Sequence, residues 1–158
     1  MDVKTVMDTW TLQMGFPLIT VKRWSRSRGP YVTLPSLRDY SGNAATVSQD
    51  RFVVKSAQAK KSGSSKKTFR WWVPLTYTAP GGDFNDTRVK AWLTEKEASK
   101  RVEGLPAKDV PVVFNIQETG YYRVNYDQRN WQLLAQQLDK DHTAIHVINR
   151  CGTNSCIL

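Results

Sequence analysis

The run Gly120-Tyr121-Tyr122-Arg123-Val124-Asn125-Tyr126-Asp127, followed by Asn130-Trp131, changes its hydrophobic period part-way along. Tyr122, Val124 and Tyr126 alternate with Arg123 and Asn125, the period-two pattern of a half-buried strand. From Asp127 onward, Trp131, Leu134, Ala135 and Leu138 fall at helical spacing, and Asp127 is placed to cap the first free N–H groups. A strand that passes directly into a helix marks a junction between a β layer and a helical layer.

The residues before this junction read as short strands separated by Gly, Pro and Ser. Leu18 to Trp24 and Val47 to Lys55 are strands, and Phe52 and Val54 share a face in the second. Phe69 to Thr78 is β-prone, with Pro74 requiring an edge position or a bulge. Pro80-Gly81-Gly82-Asp83 is a turn, and Thr87 to Leu93 resumes strand character. Thr94-Glu95-Lys96-Glu97 fits a capping box for one or two helical turns up to Arg101. Pro111 to Gln117, with Val112, Phe114 and Ile116 on one face, is expected to pair with Tyr121–Tyr126 as an antiparallel hairpin. No βαβ rhythm appears. The fold class is mainly β: an antiparallel β-sandwich flanked by an N-terminal helix and a C-terminal helical pair. In the first helix Asp2 is the cap, Val3, Val6, Met7, Trp10 and Met14 form the apolar stripe, and Gly15 and Pro17 end it. The helical pair is Asp127–Leu138 and a piece from about His142 to Asn149.

The net charge of +9 is concentrated. One stretch holds Lys22, Arg23, Arg26, Arg28 and Arg38; another holds Lys55, Lys60, Lys61, Lys66, Lys67 and Arg70. Ser25 to Thr46 reads as a long loop and Ala57 to Lys67 as a low-complexity, flexible connection. The plain reading of both is solvated loops, and the functional reading is contact with an anionic surface through Lys60, Lys61, Lys66 and Lys67. Cys151 and Cys156 are the only cysteines, so no disulfide framework holds the body together. No apolar run approaches the ~18–20 residues that span a bilayer. The start Met1-Asp2-Val3-Lys4 has no signal-peptide pattern, and the chain reads as soluble and without an address.

Candidate chemistry is sparse. His142 and His146 have the i, i+4 spacing of two ligands on a helix, but Thr143 stands where a metalloprotease helix carries its glutamate base, and a third ligand is missing. They are rejected as a metal site in favour of surface or capping histidines. No catalytic residue is assigned. Asp83/Asp86 and Glu95/Glu97 read as solvated acids in turns, and Gly81-Gly82 lacks the context for phosphate binding. Trp71 and Trp72 read as core side chains rather than base-stacking platforms, so no nucleic-acid partner is expected. Asn85-Asp86-Thr87 is an N-glycosylation triplet in a surface turn, relevant if the chain is secreted.

Five blocks carry a resemblance. G-Y-Y-R-V-N-Y-D-x-x-N-W, D-x-W-T-L-Q-M-G-F-P-L-I-T-V (Asp8 to Val21), V-S-Q-D-R-F (Val47–Phe52), W-x-V-P-L-T-Y (Trp71–Tyr77) and H-T-A-I-x-x-I-N-R (His142–Arg150) occur in the order found in zinc aminopeptidases of the aminopeptidase N type. In that family these blocks follow the catalytic domain. The resemblance implies that residues 1–16 are the last helix of the catalytic domain, 17–126 the β-sandwich and 127–150 the start of the C-terminal helical domain, leaving 151–158 as an unmatched tail. It further implies irregular chain or a turn, rather than a helix, between Thr94 and Arg101. The family's zinc helix and its G-A-M-E-N substrate strand do not occur in the sequence, so the resemblance implies a non-catalytic fragment. Its role would be a structural spacer between domains. No cofactor is expected here; zinc and peptide substrate would belong to the complete enzyme, whose family is often plasma-membrane or secreted and sometimes cytosolic. The alternative is a free-standing binding module that uses the basic loops on an acidic partner or membrane surface. With their family partners missing, the apolar faces of Val3–Met14 and of Trp131/Leu134/Leu138 are expected to be exposed and to promote self-association or a homodimer.

Overall fold

Alternation of apolar and polar residues lays out the main sheet. In β1 (Pro17–Arg23) Ile19 and Val21 point inward, and in β2 (Ala45–Arg51) Ala45, Val47 and Gln49 do. The computed structural model describes residues 2–23, 43–52 and 69–154, without the side chains of 153 and 154. Lys60, Lys61, Lys66, Lys67, Val54 and Cys156 lie outside the described residues, as do most of the two basic stretches.

β1 and β2 pair antiparallel along their full length, from Pro17 opposite Arg51 to Arg23 opposite Ala45. β6 (Ser99–Val102) adds to β2, and β8 (Arg123–Tyr126) adds to β1, giving the order β6-β2-β1-β8. Two short ribbons complete the β structure: β3 (Val73–Leu75) with β5 (Ala91–Leu93), and β4 (Tyr77–Thr78) with β7 (Val113–Phe114). Sheet and ribbons share one core, with Trp71, Val73, Leu75, Leu93, Val112 and Ile116 fully buried beside Ile19, Val21 and Val47. Each such aliphatic side chain contributes about 1.5–3 kcal/mol. The architecture is mainly β, with antiparallel pairings dominating.

The expected hairpin between Pro111–Gln117 and Tyr121–Tyr126 does not form. β7 pairs with β4, and β8 runs parallel to β1, Leu18 opposite Arg123 and Val21 opposite Tyr126. The chain is redirected at Asn115, Gln117 and Glu118, whose φ values of 57°, 52° and 52° are left-handed and incompatible with a ladder. The capping box at Thr94–Glu97 closes, with the Glu97 carboxylate accepting from the Thr94 N–H and hydroxyl at 3.0 Å, but no helix follows. Ser99 to Val102 instead pairs with β2, so the box ends as a turn, and the irregular chain or turn that the resemblance implies gives way to a strand from Ser99.

Helix α1 (Val3–Thr11) is capped by Asp2, which accepts from the Lys4 and Thr5 N–H groups. It ends at Leu12, before Gly15, whose positive φ serves the loop into β1. Only part of the expected stripe faces inward. Val6, Thr9, Trp10 and Gln13 lie against the body, and Val3, Met7, Leu12 and Met14 are exposed. The docking is polar: Trp10 Nε1 donates to the Trp72 carbonyl, Thr9 Oγ1 accepts from the Trp72 N–H, and Gln13 Nε2 donates to the Arg70 carbonyl.

Helix α2 (Gln128–Lys140) is capped by Asp127, whose second oxygen accepts from the Arg23 N–H and ties the helix start to the end of β1. Its apolar face is not stranded as expected. Leu134 is 1% exposed, and Trp131 and Leu138 pack on the core, with Trp131 edge-on to Tyr126 at 5.1 Å. The chain's own β8 and Val112 segment supply the partner. The last helical piece is broken: a 3-10 turn at His142–Ala144, an extended Ile145, then α3 (Val147–Asn154), which carries the helix into the segment expected to be a tail.

Candidate functional site

Polar residues at inward-facing positions define the distinctive chemistry of this molecule. Gln49 follows Ala45 and Val47 on the buried face of β2 and is 5% exposed. Its Oε1 accepts from the Trp71 N–H at 2.8 Å, and its Nε2 donates to the carbonyls of Thr94 and Glu97. Asn130 lies one turn before Leu134 on the inner face of α2 and is 1% exposed. It grips Val112 at both backbone atoms: Oδ1 accepts from the N–H and Nδ2 donates to the carbonyl, each at 3.0 Å. A carboxamide carries the same donor and acceptor as a peptide group, so it completes a backbone where no strand is available.

The same device holds the left-handed turn. Asn149 accepts from the Gln117 N–H at 2.9 Å and donates to the Asn115 carbonyl at 2.8 Å. The Asn115 side chain accepts from the Gly120 N–H and donates to the carbonyls of Gly120 and Tyr122. Thr76 takes the Asn115 N–H on its carbonyl and the Ile116 N–H on its hydroxyl. Two tyrosines finish the set: Tyr126 Oη accepts from the Phe114 N–H, and Tyr122 Oη donates to the Pro74 carbonyl. Burial pushes the Tyr122 phenol well above its ordinary value, so it stays a neutral donor. Gly120 is required by contact: a Cβ there would lie 2.3 Å from the Tyr122 ring.

Asn115, Gly120, Tyr122, Tyr126 and Asn149 of this set border an open cleft of about 590 Å³ between the Asn115–Tyr122 turn, β8, α2 and α3. Phe16, Tyr121, Arg123, Val124, Trp131 and Glu118 line it. Phe16 stacks on Phe52 and meets Tyr121 edge-on, while the Arg123 guanidinium lies 4.7 Å over the Phe52 ring. Trp131 Nε1 donates to Asn125 Oδ1. The cleft brings together one acid, one base and several rings, with no nucleophile–base pair among them.

The histidines do not share a helix face. His142 is exposed in the 3-10 turn, the extended Ile145 intervenes, and His146 stacks on Phe84 at 6.3 Å while its Nδ1 accepts from the Ile148 N–H. Among the described residues no three His, Cys, Asp or Glu side chains converge to hold a metal, so they do not fit a zinc centre. The turn carboxylates serve their own loops. Asp83 accepts from the Asn85 N–H, and Asp86 holds Arg88, which keeps the Asp86 carboxyl below its ordinary value. Glu97 is likewise lowered, first by the Thr94 N–H. Trp71 is fully buried and Trp72 packs edge-on against Trp92. Asn85 is exposed.

No family model matches the chain. It is 37% identical over 148 residues to aminopeptidase N of Plutella xylostella, covering 92% of this chain and 13% of that protein. It is 34% identical over 148 residues to human aminopeptidase N, covering 94% and 13%. The homologues of this chain are aminopeptidase N and related ectoenzymes. Among the latter is the human thyrotropin-releasing hormone-degrading ectoenzyme, 32% identical over 152 residues, 96% of this chain and 13% of that protein. The chain therefore spans about an eighth of the length of the relatives it matches. The blocks that resemble aminopeptidase N contain most of the backbone-gripping residues: Thr9, Trp10 and Gln13, then Gln49, Thr76, Tyr122, Tyr126 and Asn130, and finally Asn149. Sequence reasoning missed these roles, because a polar residue in a strand or helix reads as surface. The available signal was position, since Gln49 and Asn130 fall on faces otherwise filled by Ala45, Val47 and Leu134.

Proposed function

We propose that this chain is the non-catalytic β-sandwich region of an aminopeptidase N-type protein and acts as a spacer between a catalytic domain and a C-terminal helical domain. The parent reaction would be release of N-terminal amino acids from peptides, with zinc and the reacting peptide held by residues elsewhere in the parent. The observation that carries this reading is the use of the motif side chains. Gln49, Asn130 and Asn149 each turn both amide atoms onto the backbone, so the resemblance falls on groups that fix shape. Ribbons and sheet share one core, α1 docks on it through Thr9, Trp10 and Gln13, and the start of α2 is tied to the end of β1 through Asp127. Such a body transmits a fixed angle between whatever is joined to its two ends.

A chimera tests the reading. Residues of this chain are substituted for the matching 148-residue stretch of Plutella xylostella aminopeptidase N, beside a version in which a flexible linker replaces that stretch. The chimera is expected to release N-terminal amino acids from a peptide substrate at a rate near that of the unaltered relative. The linker version is expected to lose at least tenfold while retaining its catalytic residues. Full activity in the linker version, or zinc-dependent release by this chain alone, would overturn the spacer role.

A further inference from the structure

We infer that Asn85 is a site of N-linked glycosylation, carrying an oligosaccharide on the face formed by the Pro80–Lys90 loop. Asn85 opens the one N-x-Ser/Thr triplet in the sequence, Asn85-Asp86-Thr87. Both Asn85 and Thr87 are exposed, on a stretch that belongs to no strand or helix. The acceptor atom is available: Gln117 Nε2 makes a long 3.4 Å contact to Asn85 Oδ1, while Asn85 Nδ2 donates to nothing among the described residues. Asn149 is the contrast, being 5% exposed with both amide atoms engaged. The middle residue does not obstruct. Asp86 turns its carboxylate onto Arg88 at 2.7 Å with Lys90 at 4.0 Å, so its charge is balanced away from the acceptor.

The loop geometry also leaves room for the product. The Thr87 N–H donates to the Asn85 carbonyl, which closes the triplet into a tight turn with Asn85 and Thr87 both exposed, and the Asp83 carboxylate fixes its start at the Asn85 N–H. Beneath it the buried Phe84 packs on His146, so the sugar would stand over a closed patch of core. The bond formed joins Asn85 Nδ2 to the anomeric carbon of a lipid-diphosphate-linked oligosaccharide. The anomeric C–O bond breaks, the lipid diphosphate leaves with its electron pair, and one Nδ2 proton is released. A glycan here would keep the Phe84–His146 face in solvent and direct any neighbouring domain to other surfaces. Homology to a named ectoenzyme is consistent with the secretory route this chemistry requires. The inference does not depend on the spacer role.

The test is cell-free translation of the full chain behind a cleavable leader in the presence of microsomes, with translocation scored by protease protection. The protected wild-type chain is expected to show a one-glycan mobility shift that an endoglycosidase removes. Asn85→Gln and Thr87→Ala should each abolish the shift, and Thr87→Ser should retain it. A protected wild-type chain with no glycan, or a shift that persists in both loss variants, would overturn the assignment.

Discussion

Asn130→Ala is expected to destabilise the chain by about 2–6 kcal/mol, because it orphans two buried backbone groups at once and each costs about 1–3 kcal/mol. Val112 is fully buried, and Asn130 is the partner of both its N–H and its carbonyl. Val112 and Asn130 lie away from bulk solvent, so the penalty is that of desolvated, unpaired polar atoms rather than of one exchanged hydrogen bond. Urea unfolding followed by tryptophan fluorescence measures it. Asn130→Asp is the informative companion: it keeps the acceptor for the Val112 N–H but sets a carboxylate against the Val112 carbonyl. It should therefore be destabilised despite its near-identical shape. A midpoint unchanged in both variants would mean that the Val112 segment finds other partners.

Trp71→Ala is the second large effect, at about 3–5 kcal/mol, the range for removing a large buried aromatic side chain. Trp71 is the largest fully buried side chain among the described residues and lies between Trp10 and Phe69, with ring centroids at 6.4 Å and 6.5 Å. Its loss empties the space where α1, β2 and the Phe69–Val73 segment converge. Against a total of about 5–15 kcal/mol for a typical domain, such a variant sits near the limit of folding. Trp71→Phe distinguishes packing from hydrogen bonding. The indole Nε1 is buried without a partner among the described residues, so phenylalanine removes an unsatisfied donor while keeping most of the ring. Its thermal midpoint should fall much less than that of the alanine variant. Equal losses would point to a role for the indole nitrogen.

Local features were legible in the sequence because local chemistry decides them. Asp2 and Asp127 cap the helices they precede, and the alternation in Pro17–Arg23 and Arg123–Tyr126 gives the strand faces. Partner choice was not legible. A hairpin is the nearest solution for two expected strands with only Glu118, Thr119 and Gly120 between them, but three left-handed residues and their amide clamps send β8 to lie parallel to β1 instead. Similarly, the Thr94–Glu97 box satisfies its own backbone, and pairing of Ser99–Val102 with β2 outweighs the helical continuation. The face of Trp131, Leu134 and Leu138 reads in sequence as one that needs a partner domain, whereas it covers this chain's own core. Val3, Met7, Leu12 and Met14 do remain exposed. For the candidate site, the blocks were visible as a pattern, but their purpose depends on contacts between segments far apart in sequence. Gln49 reaches Trp71 and Thr94, and Asn149 reaches Asn115.

Native-state amide exchange resolved by residue examines these clamps most directly. The N–H groups of Trp71, Val112, Ile116 and Gln117 donate to the side chains of Gln49, Asn130, Thr76 and Asn149. They should exchange as slowly as the ladder amides between β1 and β2, and Asn130→Ala should release Val112 before the others. Exchange of all four at the rate of exposed loop amides, with the β1–β2 ladder still protected, would contradict the claim that the shared blocks exist to hold the backbone.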